Sequence, residues 1–545
     1  MTPRGLARLF FAFGVVFVVT CFGVHRATAL REVDGPVIAS VWRAGAVIAR
    51  AELAREDVAG TPLDGAGGTL VFERVVAEAP VPRSPELALS IAVVSGRDGL
   101  RFRLDGKTVY FTPDDLVAMQ AYDHGLNLES VSLGLGVDVP LVVARASERL
   151  GVRPTEILAR AEVSRFRTAR RVVGQVPPRR IDGATLTDAD VRAGVREAAH
   201  YLARGVSSDG HFRYLVNAPT NESRPGYDWP RHAGATYFVA QAARLLDDAE
   251  LRGSALRAAG LMRNGALASC GAYRCIGTDD VVEIGSAALA VIAFAEIARS
   301  GADPGYAPLV RQLADFVLSQ QRPDGEFMHQ VTRDGVRIDV QFLYFSGEAT
   351  LALARAHELL GDAKYLVGAT RGLSHLVGPA WSFFGDRYYF GEEHWTCQAM
   401  GELWDRAPDR TALDFCMRWH AYGRSMQQHA GDSPFDGDGA YQVGPVVTPR
   451  LTPVASRSEA GVATLAAAEK AGWPKGEVEL LRDQLRRSLA LLLRHQLPAT
   501  NAHLLADPDA VRGAMPGSEV DWVLRIDYAQ HAGSAMVRWL ELTSR

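Results

Sequence analysis

Six times between residues 228 and 535, a short polar or aromatic cluster runs straight into a helix of small apolar residues. The clusters are Arg231-His-Ala-Gly-Ala-Thr236, Glu283-Ile-Gly-Ser-Ala-Ala288, Phe345-Ser-Gly-Glu-Ala-Thr350, Glu393-His-Trp-Thr-Cys-Gln398, Arg457-Ser-Glu-Ala-Gly-Val462 and Gln530-His-Ala-Gly-Ser-Ala535. With Gly234, Gly285, Gly347, Thr396, Gly461 and Gly533 as equivalent points, the steps are 51, 62, 49, 65 and 72 residues. Each step holds two helices and two loops. Between the starts lie amphipathic stretches such as Tyr306 to Gln320 and Gly476 to Gln496. The second repeats Leu480, Leu481, Leu485, Leu489 and Leu492 at helical intervals. Helices of Ala and Gly can crowd around an axis, whereas amphipathic ones keep one face in water. The predicted fold is therefore mainly α, an (α/α)6 toroid of six helical hairpins over residues 186–545. An open superhelix of helix pairs is the rival arrangement.

At 545 residues the chain is too long for one core, and residues 30–180 have a different texture. Gly68-Thr-Leu-Val-Phe-Glu-Arg-Val-Val76 and Leu87-Ala-Leu-Ser-Ile-Ala-Val-Val94 are short, apolar and β-branched, as strands are. Leu100 to Leu104 and Lys107 to Phe111 flank Asp105-Gly106, the pair a type I′ hairpin turn prefers. Leu141 to Ala161 reads as helix, with Pro154-Thr-Glu as a start. A small α+β domain is expected here, joined to the ring by Gln175-Val-Pro-Pro-Arg-Arg180, whose prolines forbid helix.

Residues 1–29 carry Arg4 and Arg8, an uncharged apolar run from Leu9 to Val24, and Ala27-Thr28-Ala29. That order is the order of a signal peptide, with an uncleaved membrane anchor as the alternative. A periplasmic or secreted protein is expected, touching the membrane only through such an anchor. Cys270, Cys275, Cys397 and Cys416 then meet an oxidising compartment, where an even count permits disulfides, and Cys270 to Cys275 could close a small loop. Their spacing matches no metal-ligand set, so neither a metal nor a cofactor is expected. The net charge of −4 offers no basic surface for nucleic acid.

Two stretches resemble known toroids. Leu351-Ala-Leu-Ala-Arg-Ala-His-Glu-Leu-Leu-Gly-Asp-Ala-Lys-Tyr-Leu366 is similar to the helix, Gly-Asp turn and Tyr-Leu restart of the six-hairpin glycosidases and related carbohydrate-active barrels. Gln321-Arg-Pro-Asp-Gly-Glu-Phe327 resembles a turn also found in terpenoid cyclase toroids. The resemblance covers about residues 186 to 545 and implies architecture more than chemistry, because hydrolases, epimerases, lyases and cyclases share it. The Asp-x-Asp-Asp acid of squalene-cyclase chemistry, the zinc set of lanthionine cyclases and the Trp-Asp-Asp signature of a mannan-cleaving group do not occur.

Helix starts in such a ring face one open end, where polar groups converge on a substrate. The six starts carry Asp228, Arg231, His232, Asp279, Asp280, Glu283, Glu348, Glu392, Glu393, His394, Arg457, Glu459, Asp527 and His531. Any one acid there is ordinarily a helix cap, and any one histidine a buried loop anchor. Together they match glycosidic-bond chemistry, which needs one carboxylic acid to protonate the leaving oxygen and a second carboxylate to activate water or attack the sugar. Asp228, Glu393, Glu459 and Asp527, with His232 and His531, are the candidate catalytic groups. Arg231, Trp229, Tyr344, His394, Trp395 and Arg457 are the candidate substrate-binding groups, and Trp381, Phe384, Tyr388 and Tyr389 could also stack on sugar rings. The leading expectation is an exported polysaccharide-processing enzyme, a glycoside hydrolase with a carboxylate pair at the ring mouth. The alternatives are a uronate epimerase or lyase with a His or Tyr base and Arg231 or Arg457 holding the substrate carboxylate, and a non-catalytic envelope protein that binds glycan or protein.

Overall fold

A computed structural model describes residues 23–24, 28–123, 127–128, 131–132, 136–175, 179–380, 394–432, 436–442, 447–498 and 501–544. The apolar leader run up to residue 22 and Glu393 lie outside these residues, as do Trp381, Phe384, Tyr388, Tyr389 and the centre of the 175–180 linker. Among the described residues no helix is long and apolar enough to cross a membrane.

The first unit is an antiparallel sheet built from β1 (Arg31–Glu32), β2 (Val37–Arg43), β3 (Ala46–Leu53), β4 (Thr69–Pro80), β5 (Asp98–Leu104), β6 (Lys107–Phe111) and β7 (Glu162–Val172). The strand order is β3-β2-β4-β7-β5-β6, with β1 on β4. The β5–β6 hairpin turns at Asp105-Gly106, both with positive φ, as the sequence predicts. Four short helices pack on the sheet: α1 (Glu86–Ala92), α2 (Pro113–Ala118), α3 (Val139–Leu150) and α4 (Pro154–Arg160). Helix α1 takes the place of the strand expected over Leu87–Val94. Its Leu, Ala and Ser residues carry little β-branching, Pro85 sets the N-cap, and β-branched Val93 and Val94 follow the helix end.

Among the described residues twelve α-helices follow. The odd-numbered set is α5 (Asp188–Arg204), α7 (Ala249–Leu261), α9 (Ala307–Ser319), α11 (Ala363–Leu376), α13 (Arg410–Ser425) and α15 (Lys475–His495). The even-numbered set is α6 (Trp229–Leu246), α8 (Ile284–Arg299), α10 (Phe345–Leu360), α12 (His394–Leu403), α14 (Leu451–Lys470) and α16 (Ile526–Thr543). The even helices touch in the order α6-α8-α10-α12-α14-α16 and α16 returns to α6, so the inner ring closes and the open superhelix is excluded. Each odd helix lies outside and touches the even helices on both sides of it, and all but α13 pack chiefly on the even helix that precedes them in the ring. Small residues at the repeat points make this possible. A Cβ on Gly285 would lie 2.6 Å from the Glu348 carboxyl and the Phe345 ring, and one on Gly533 would enter the Phe238 ring.

The two ends of the ring differ. At the C-terminal ends of the inner helices, a chain of ion pairs runs from Glu541 to Arg244 (2.5 Å), Glu296 (2.8 Å), Arg299 (2.6 Å), Glu358 (3.3 Å), Arg355 (3.5 Å) and Glu402 (3.0 Å). It crosses α16, α6, α8, α10 and α12 in ring order and links five of the six inner helices at that end. The N-terminal ends surround an open cavity.

Two disulfides form, Cys270–Cys275 and Cys397–Cys416. The second joins inner helix α12 to outer helix α13 across 19 residues of chain. Replacing both of its cysteines by serine is expected to lower stability by about 3 kcal/mol, read as a shifted urea midpoint against the oxidised wild type.

Candidate active site

The cavity at the ring mouth holds about 630 Å³. All six inner helices or the residues just before them contribute to its wall: Asp228 and Arg231, Glu283 and Leu289, Phe345 and Glu348, His394 and Trp395, Arg450 and Ser456, and Arg525, Asp527 and His531. Tyr344, Phe342 and Tyr528 add aromatic surface. Side chains 300 residues apart in sequence thus become neighbours because the inner helices all start at this end.

The floor is built by three helices. His531 on α16 hydrogen-bonds through Nδ1 to Glu459 Oε2 on α14 at 2.6 Å. Glu459 is fully buried, and among the described residues its Oε1 has no hydrogen-bond partner. A carboxylate only accepts, so Nδ1 carries the hydrogen and Nε2 is the basic nitrogen. His394 on α12 stands edge-on to His531, with 5.3 Å between ring centroids, and packs against Trp395 at 4.7 Å and Tyr344 at 6.0 Å. His394, Glu459 and His531 bring their ligand-type atoms within 4.8 Å of one another. The hydrogen bond accounts for the closeness of His531 and Glu459, and the packing of His394 against the His531 ring brings the third group to them.

The acids around the rim are in different states. Burial raises Glu348 to about 8, outweighing His531 and Arg231, which pull it down. It is therefore largely protonated at neutral pH. Burial would also raise Asp527, but its two hydrogen bonds from Arg525 (2.6 and 2.8 Å) and the charge of Arg231 at 3.5 Å hold it below the usual carboxylate range. Asp228 caps α6 by accepting from the Arg231 backbone N–H at 2.9 Å, accepts from the Tyr214 hydroxyl at 2.8 Å, and pairs with the Arg231 guanidinium. Both aspartates thus orient Arg231. Arg450 is held in turn by Asp521 at 2.8 Å.

Glu348 gives the protein a pH signature. Below its ordinary value of 4.5 the group is protonated in both the unfolded and folded chain and costs nothing. As pH rises past 4.5 the unfolded chain ionises while the fold keeps its proton until about 8, so this contribution to stability is lost across that window. Guanidinium unfolding at pH 5 and pH 9 is expected to show lower stability at pH 9, and Glu348→Gln is expected to flatten the difference.

Of the candidate groups read from the sequence, the cavity brings together Asp228, Arg231, Tyr344, His394, Trp395, Asp527 and His531, with Glu459 directly behind His531. Trp229 lies beside the rim, its indole N–H 3.4 Å from Thr278 Oγ1. Two placements differ from expectation. His232 is fully buried and turns outward: its Nε2 donates to Ala258 O on outer helix α7 at 2.9 Å, and its Nδ1 accepts from the Tyr227 hydroxyl at 2.6 Å. Burial lowers it to about 4, so it is a neutral anchor and not a base. Arg457 sits two turns down α14, since that helix starts at Leu451. Its guanidinium lies over Trp419 and Tyr441, away from the cavity wall. Arg450 and Arg525 were missed: each immediately precedes an inner helix, Arg525 as the end of the short strand Val523–Arg525, where sequence pattern carries no signal. Glu348 stood among the ring-mouth acids but passed for an ordinary cap.

No protein-family model matches the chain, and neither does any curated protein. Solved structures do resemble it. They include a sugar epimerase from a ruminal bacterium, at 12% identity and TM-score 0.49 over 65% of this chain and 99% of that one. Cellobiose 2-epimerase from Bacillus thermoamylovorans B4167 matches at 11% identity and TM-score 0.49, over 65% and 98%. An unsaturated glucuronyl hydrolase specific for heparin matches at 11% identity and TM-score 0.47, over 66% and 99%. At such identities the likeness concerns the fold alone, and the six-pair ring stands on the packing order described above.

Proposed function

We propose that this protein is a carbohydrate-active enzyme that moves a proton at a sugar carbon, in an epimerase- or lyase-type reaction. The observation that carries the reading is the His531–Glu459 pair with His394 beside it on the floor of an aromatic-walled cavity. His531 Nε2 takes a proton from a carbon next to a carbonyl or carboxyl group, and Glu459 stabilises the imidazolium that results. Protonated Glu348 donates to the oxygen on which negative charge grows. Return of a proton from His394, as its imidazolium, to the opposite face gives an epimer; loss of the oxygen substituent on the next carbon, protonated by that imidazolium as it leaves as an alcohol or water, gives an unsaturated sugar. The aromatic surface that Tyr344, Trp395 and Tyr528 give the cavity suits the apolar face of a pyranose ring.

Hydrolysis by a carboxylate pair is the second reading, favoured by Glu348 as a ready acid. Against it, Asp228 and Asp527 are both committed to arginines and Glu459 to His531, which leaves Glu283 as the remaining described carboxyl group of the cavity. Export to the periplasm or beyond accompanies either reading and is supported by the leader pattern and the two disulfides.

Incubating the protein with a panel of neutral and uronic-acid oligosaccharides in D2O separates the classes. Deuterium at a sugar C–H without chain cleavage is expected for epimerisation, and a new ultraviolet chromophore for elimination. New reducing ends with neither signal would replace this reading with hydrolysis, and no turnover with retained binding would replace it with a glycan-binding role.

A further inference from the structure

The sheet domain holds two loops that lead into inner helices of the ring. Residues 447–450 lead into α14, which bears Glu459. Residues 516–522 lead through the strand Val523–Arg525 into α16, which bears His531. The loops are joined to each other. Arg450 and Ser518 form a β-bridge, the Leu451 N–H donates to Gly517 O at 3.0 Å, and Arg450 Nη1 donates to Asp521 Oδ2 at 2.8 Å. Ser518 Oγ shapes the second loop by accepting from the N–H groups of Val520 at 3.2 Å and Asp521 at 3.0 Å. These bonds converge on Arg450, which lies on the wall of the ring-mouth cavity.

One carboxyl group of the domain grips both loops. Asp123 accepts from Thr448 Oγ1 at 2.9 Å and from Ser518 Oγ at 3.4 Å, and all three side chains are buried. The Asp123 N–H donates to Gly136 O at 2.9 Å, which ties the residue to its own domain. Its φ of 62° is in the left-handed region, where Asp and Asn are the side chains most readily accepted. Arg97 fastens the second loop again by pairing with Glu519 at 2.9 Å. Asp123 thus reaches Arg450 by two routes, through Thr448 two positions before it and through Ser518 opposite it. Arginine has five N–H donors, and 37% of the Arg450 side chain is exposed, so it can donate into the cavity while Asp521 holds Nη1.

We propose that the sheet domain is part of the sugar site: Arg450 donates to an oxygen of the bound sugar, and Asp123 is the positioning residue that sets Arg450 through Thr448 and Ser518. The inference rests on the ring mouth being a sugar site and is independent of the reaction carried out there. Saturation-transfer NMR titrations of the full chain with cellobiose, mannobiose and digalacturonate test it. The wild type is expected to bind at least one of the three. Arg450→Met is expected to weaken that binding about tenfold or more and Asp123→Ala about threefold or more, as loss of a charge-assisted hydrogen bond and of its support would. The double variant is expected to bind no worse than Arg450→Met, because Asp123 acts through the arginine. Asp123→Asn keeps the backbone conformation and the acceptor for Thr448 and is expected to recover most of the loss. If Asp123→Ala fails to fold, the isosteric Thr448→Val, on the ring side, takes its place in the cycle. Unchanged binding in Arg450→Met, unchanged binding in both Asp123→Ala and Thr448→Val, or losses that multiply in the double variant would each overturn the proposal. Binding of none of the three disaccharides overturns it too. A hydrolytic outcome in the D2O experiment would replace the reaction and leave these binding results standing.

Discussion

Arg355→Met is expected to lower the unfolding free energy by about 3–5 kcal/mol, the range for removing one partner of a buried ion pair. Arg355 is nearly buried and lies between Glu402 at 3.0 Å and Glu358 at 3.5 Å. Without it, Glu358 keeps Arg299 at 3.3 Å, but Glu402 loses its ion-pair partner at 3.0 Å while Glu358 stays beside it. Glu402 is already pushed above the usual carboxylate range, first by burial and then by Glu358. The loss therefore comes from the acids left behind more than from the missing attraction. The double variant Arg355→Met/Glu402→Leu is expected to regain most of the stability, because it deletes the stranded charge too. Guanidinium unfolding of the four proteins of that cycle gives the coupling. Independent losses in the two single variants would show that the belt is a set of separate surface pairs and does not lock the ring's lower end.

The second large effect is catalytic. His531→Ala is expected to reduce turnover 10²- to 10⁴-fold, the usual contribution of a positioned base. Glu459→Gln is expected to cost about 10- to 100-fold, as loss of a group that orients a histidine does. Because Glu459 acts through His531, the double variant should be no slower than His531→Ala alone. Losses that multiply would give Glu459 a role of its own. A changed pH profile in Glu459→Gln, with unaltered circular dichroism, separates positioning from a merely structural contribution.

The ring was legible in the sequence because its physical requirement is compositional. Helices that meet around an axis must be made of Ala, Gly and Ser on their contact faces, and that requirement recurs six times. The hairpin at Asp105-Gly106 was legible because so few residue pairs favour its turn. The site was legible only in part. Spacing shows that His232 and His531 both sit near an inner-helix start, but it does not show which way each ring points. The fourth residue of α6 turns to Ala258 on the outer layer, and the sixth residue of α16 turns to Glu459 and the axis. A start misplaced by six residues, about 9 Å of helix, was enough to put Arg457 at the mouth when it belongs against Trp419 and Tyr441. Glu348 was passed over because protonation by burial is a property of packing, and a carboxyl on the bare backbone of Gly285 has no counterpart in the local sequence. The ion belt was equally hidden, since its members are spread over 298 positions from Arg244 to Glu541 and lie at helix ends where charges are commonplace.

The central claim is that His531 and His394, from different helices, act on one sugar carbon. Solvent deuterium wash-in to unreacted substrate, followed by NMR in the wild type and in each histidine variant, tests it most directly. His394→Ala is expected to keep exchanging the substrate proton while failing to form product, and His531→Ala to lose both. Equal exchange in all three proteins, or product formed with no exchange in any, would contradict the account.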